Sequence, residues 1–123
     1  MGDNMAKILL IDDEEGPREK YKALFEKAGH KVITAVYARE ALQKFIEERP
    51  NVVVTGICMI DFNPIMGVRE LVTKMKEIIP EVSIIILTVH KNWENCFLEE
   101  QIAGFVGKFS ADEKLLLETI ARC

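Results

Sequence analysis

Short apolar runs alternate with amphipathic helical stripes five times along this chain, and that alternation leaves few folds open. Ile8–Ile11, Val32–Ala35, Val52–Ile57, Val82–Leu87 and Phe105–Gly107 are brief runs bounded by charges and turn residues. Runs of that kind read as strands buried on both faces. Strictly alternating strands and helices imply a parallel sheet, because each right-handed crossover lays its helix against the sheet. The expected class is α/β, with helices on both faces.

The helical stripes are regular. Tyr21, Leu24, Phe25 and Ala28 recur at helical spacing after Pro17, which suits a first turn, and Gly29 is a C-terminal stop. His30 follows in the turn and is expected to face solvent. Ala38, Ala41, Leu42, Phe45 and Ile46 make a second stripe, ending before Pro50. Asp61–Met66 reads as a loop, with Asn63-Pro64 as its turn signal. Val68, Leu71, Val72, Met75 and Ile79 make a third stripe, closed by Pro80. Asn92–Gln101 is a mixed helix. Asp112–Arg122 is the last, with Ser110 as N-cap, Glu113 three residues on, and Leu116, Leu117 and Ile120 on its buried face.

In open parallel sheets ligands bind at the carboxyl ends of the strands, near the switch in strand order. The residues at those ends are Asp12, Asp13, Gly56, Thr88 and Lys108. Two carboxylates, a hydroxyl and an ammonium are the groups that a phosphorylated-aspartate site needs. The position where the acceptor carboxylate belongs is a glycine, Gly56.

Composition bounds the function. A length of 123 residues fits one domain, spanning 1–123. Hydrophobic residues make up 49% and charged residues 29%, with a formal net charge of −4. That balance argues against a nucleic-acid surface, which needs clustered Lys and Arg. The longest apolar run, Val82–Val89, is far short of the roughly 20 residues that span a bilayer. The acidic, polar start has no signal-peptide profile, and a cytoplasmic location is expected. Cys58, Cys96 and Cys123 are widely spaced and form no CxxC pair, so reduced thiols are expected.

Over nearly its full length the chain resembles the receiver domain of two-component response regulators. Ile8-Leu9-Leu10-Ile11-Asp12-Asp13-Glu14 is similar to that family's first strand and acidic pair. Ile85-Ile86-Leu87-Thr88 resembles its fourth strand with the switch Thr. Phe105-Val106-Gly107-Lys108 resembles its fifth strand, with the switch aromatic three residues before the Lys. The resemblance implies a flavodoxin-like (βα)5 fold: a doubly wound, five-stranded parallel sheet in the order 2-1-3-4-5. It implies phosphorelay signalling, in which the acidic pair holds Mg²⁺ and Lys108 meets the phosphoryl oxygens. Thr88 and Phe105 would then relay the change to the face made by the fourth helix, fifth strand and fifth helix.

The chain departs from the family around that active end. Met59 fixes the register, three residues beyond the acceptor, and so assigns the acceptor position to Gly56. Ile60 and Phe109 stand where prolines are usual, and Val89 follows Thr88 where Ala or Gly is usual. The core stripes are intact. The resulting expectation is a receiver-like module, not an enzyme, that acts independently of phosphorylation through protein contacts. Its partner would be a sensor kinase or a downstream signalling protein, bound by a monomer or weak dimer. Mg²⁺ binding at Asp12 and Asp13 would be weak, because one carboxylate of the usual set is missing. The alternatives are a phosphorylatable receiver using a displaced acceptor such as Asp61, and a small α/β enzyme.

Overall fold

The computed structural model describes residues 5–56, 64–88, 102–107 and 113–123. Its strands are β1 (Lys7–Ile11), β2 (Lys31–Ala35), β3 (Val52–Thr55), β4 (Ser83–Thr88) and β5 (Gly104–Gly107). They form one sheet in the order β2-β1-β3-β4-β5, with parallel pairing throughout. The described helices are α1 (Glu15–Lys27), α2 (Ala38–Glu48), α3 (Pro64–Ile78) and α4 (Glu113–Arg122). The expected helix at 92–101 and the Ser110 cap lie outside the described residues. Among the described residues no helix is long and apolar enough to cross a membrane.

Successive strand residues point to opposite faces, so each strand feeds two cores. Leu9, Ile11, Val53, Ile84 and Ile86 pack with Ala41 and Phe45 of α2 and with Val68, Val72 and Met75 of α3. Ile8, Leu10, Val52, Val54, Ile85 and Val106 pack with Tyr21 and Phe25 of α1 and with Leu116 and Ile120 of α4. This is why the runs carry no polar alternation: both faces are covered. Each such side chain contributes about 1.5–3 kcal/mol on full burial. Lys20 and Glu113 add a surface ion pair between α1 and α4 at 3.0 Å.

Four sequence expectations need correction. Ile46 is 51% exposed, because the buried stripe of α2 is centred on Ala41 and Phe45. Pro64 is the first residue of α3 rather than part of a loop. A proline suits that place, since its fixed φ is helical and its missing N–H has no helical partner to lose. The third strand ends at Thr55, short of Gly56. His30 is buried, at 9% exposure. Here α1 ends in a Schellman motif: Gly29, at φ 99°, donates to the Glu26 carbonyl and His30 N–H to the Phe25 carbonyl. That turn folds His30 back against the start of β1, where its Nδ1 accepts the Ala6 N–H at 2.9 Å.

Candidate functional site at the carboxyl ends of the strands

The chain leaves β1 towards β2 on one side and leaves β3 towards β4 on the other. The switch in strand order therefore lies between β1 and β3, and the two connections part above their carboxyl ends. Ile11 is in register with Ala35 of β2 and Thr55 of β3, and Thr55 with Ile86 of β4. The next residue of each chain is the one that faces the crevice. Asp12 N–H still reaches the Ala35 carbonyl at 3.1 Å, and Gly56 N–H reaches the Ile11 carbonyl at 3.0 Å. Asp12 and Gly56 are thus the first residues past the ladder on adjacent strands.

Asp12 is 3% exposed, whereas Asp13 is half-buried and Glu14 is exposed. The turn that carries them is pinned from both sides. Asp12 Oδ1 accepts the Glu14 N–H at 2.9 Å, the local closure that Asp makes two residues on. Arg18 of α1 donates from Nη1 to the Asp12 carbonyl at 3.0 Å. Arg18 was not singled out by the sequence. The available signal is its place on the first turns of α1, within reach of the strand end. The carboxylates of Asp12, Asp13 and Glu14 offer oxygens within 4.8 Å of one another. An all-oxygen set of this kind suits a hard divalent cation, which relieves the mutual repulsion of the carboxylates.

Gly56 has no need to be glycine on conformational grounds, since its φ is not left-handed. A Cβ built there would lie 3.7 Å from the Leu87 carbonyl oxygen and 3.9 Å from that of Ile11, in ordinary contact. Thr55 beside it is buried and donates from Oγ1 to the Gly56 carbonyl at 3.0 Å.

Thr88 is the last residue of β4 and pairs with Gly107 of β5; Phe105 pairs with Ile86. The sheet therefore brings the strand ends bearing Asp12, Asp13, Gly56 and Thr88 to one side of the molecule. Lys108 and Asp61 lie outside the described residues.

Known proteins match this arrangement over most of its length. The family model for the response regulator receiver domain matches residues 8–120. The protein PilH of Pseudomonas aeruginosa is 34% identical over 118 residues, covering 94% of this chain and 95% of PilH. The oxygen regulatory protein NreC of Staphylococcus haemolyticus is 32% identical over 117 residues, but this chain spans only 52% of its length. Among solved structures, a response regulator receiver domain protein from Clostridium thermocellum superposes with a TM-score of 0.82 at 30% identity. That superposition covers 96% of this chain and 93% of that one. Strand order, an acidic turn at the switch point and full-length similarity converge, and the chain belongs to the family of response regulator receiver domains, the receiving modules of two-component and chemotaxis signalling.

Proposed function

We propose that this receiver signals without phosphorylation at the position where its family carries the acceptor, and works as a protein-interaction module rather than as an enzyme. The observation that carries this reading is Gly56, the first residue past β3, which offers no side-chain oxygen to attack phosphorus. Among the described residues the strand order and the acidic turn of Asp12, Asp13 and Glu14 match the family's pattern, which supports reading the difference as one of chemistry and not of fold. The partner is a sensor kinase or a downstream signalling protein, engaged through the face of β5 and α4. A net charge of −4 with no clustered Lys and Arg speaks against nucleic acid.

Asp12, Asp13 and Glu14 would hold a divalent cation such as Mg²⁺, whose chemistry in this family is to neutralise phosphoryl oxygens. Binding is weak, because position 56 adds no carboxylate. The chain's own residues set the cluster: the Glu14 N–H and Arg18 fix the turn, and burial fixes Asp12.

The deciding experiment is intact mass after exposure to acetyl phosphate and Mg²⁺. The expected result is an unchanged mass. A gain of one phosphoryl group mapped to Asp61 would overturn this reading in favour of a displaced acceptor.

A further inference from the structure

Strand β2 lies at the edge of the sheet, with β1 on one side only. The ladder fixes which of its backbone groups point outward. Lys31 N–H donates to the Ala6 carbonyl, and the Ala35 carbonyl accepts from Asp12. Backbone groups alternate sides along a strand, so residues 31, 33 and 35 face β1, and 32, 34 and 36 face the open edge. An open edge is a template for another strand.

Helix α2 covers two of those outward groups with one pair of side chains. Glu40 accepts the Val36 N–H through Oε1 at 2.7 Å. Lys44, one turn on, donates from Nζ to the Thr34 carbonyl at 2.7 Å. The two side chains are themselves paired, Nζ to Oε2, at 3.3 Å. The bland role of Glu40 is to cap α2, reaching back from the third helical position. Lys44 has no such role. Its contact with a strand carbonyl serves the edge.

The edge it covers is self-complementary. Two β2 strands placed antiparallel about a two-fold axis at Ile33 would set Val32 opposite Thr34 of the second copy. Residues 32 and 34 both face outward, so four hydrogen bonds would form: each Val32 N–H to a Thr34 carbonyl, and each Thr34 N–H to a Val32 carbonyl. The segment Val32-Ile33-Thr34 is entirely β-branched, a composition that favours pairing. Lys44 sits on the Thr34 carbonyl, the acceptor of two of those four bonds, and pairing would bring two ammonium groups together.

We infer that the Glu40–Lys44 pair is a guard that prevents β2 from pairing with β2 of a second copy of this chain. Removing the ammonium while keeping the stem, Lys44→Met, exposes the Thr34 carbonyl without changing the cap on α2. Sedimentation velocity from micromolar to millimolar protein should show the parent chain monomeric and Lys44→Met dimerising at least about tenfold more tightly. Amide exchange at Val32 and Thr34 should slow with concentration in the variant alone. Adding Val32→Pro, which removes one outward donor from each edge, should return the variant to monomer. Circular dichroism checks that each variant is folded, and Lys44→Ala replaces Lys44→Met if the latter is not. A folded variant that stays monomeric overturns the inference. So does a dimer that forms without protection at Val32 and Thr34, a dimer that survives Val32→Pro, or equal dimerisation by the parent chain.

Discussion

The two ends of the sheet are built for different work. At the amino end, hydrogen bonds run across four strands. The Ala6 carbonyl accepts from Lys31, and its N–H is taken by His30 Nδ1. Asn51 bridges β1 and β4: its N–H goes to the Lys7 carbonyl, its Oδ1 accepts from Lys7 N–H at 2.7 Å, and its carbonyl accepts from Ser83. Lys76 of α3 adds a bond to the Val82 carbonyl at 2.6 Å. At the carboxyl end, three carboxylates crowd one turn, and the neighbouring strand presents a residue without a side chain. Among the described residues, polar groups at the first end bond across strands, whereas at the second the acidic turn is held by the Glu14 N–H and by Arg18, and the neighbouring strand is followed by a residue with no side chain.

The largest expected effect tests the amino end through packing. Gly104 opens β5, and a Cβ there would lie 2.9 Å from Cγ2 of Thr119 on α4. Thr119 is buried and held by its Oγ1 bond to the Leu115 carbonyl at 2.8 Å, so it does not simply rotate away. Gly104→Ala should cost about 1–3 kcal/mol by overpacking. Thr119→Ser removes the offending methyl, and in that background the same substitution should cost much less. Urea denaturation of the four proteins closes the cycle. Equal penalties in both backgrounds would show that the contact is not the cause.

A smaller effect comes from His30. Its Nδ1 accepts a hydrogen bond only when the ring is neutral, and burial holds its pKa below the usual 6.5. A depressed histidine pKa means that the unfolded chain binds the proton more readily. The stabilisation is therefore complete above about pH 6.5 and is lost as pH falls through the lowered native value. Replacing His30 with Ala should cost about 1–2 kcal/mol at neutral pH, by leaving the Ala6 N–H without its acceptor. It should also flatten the stability profile on the acid side. A variant that keeps the parent's acid slope would place the proton uptake elsewhere.

His30 also shows where reading from sequence stops. Its partner, Ala6, is 24 residues away, and only the folded turn after α1 brings them together. The strands were legible because residues such as Val52–Val54 and Ile84–Ile86 are apolar without interruption, which covered faces require. Ile46 misled because an apolar residue at the margin of a stripe has no local mark of exposure. At the site, the spacing from Gly56 to Met59 was visible in the sequence, whereas the Arg18 bond to a main-chain carbonyl was not, because no residue pattern encodes it.

The smallest expected effect bears most directly on the proposed absence of an acceptor at position 56. If glycine at 56 were demanded by the backbone, its presence would say nothing about signalling. The geometry gives the opposite expectation: the φ is not left-handed, and the nearest atoms to a built Cβ are carbonyl oxygens at 3.7 and 3.9 Å. Gly56→Ala should therefore stabilise the protein by about 0.4–1 kcal/mol, through the unfolded chain's reduced freedom. Gly56→Asp adds a fourth carboxylate beside Asp12, Asp13 and Glu14, so its stability should rise more steeply with Mg²⁺ than that of the parent. Thermal melts with and without Mg²⁺ separate the steric term from the electrostatic one. A loss greater than about 1 kcal/mol in Gly56→Ala would mean that the end of β3 requires glycine. Glycine at this position would then be a requirement of the fold and would not support the proposed change in how the receiver signals.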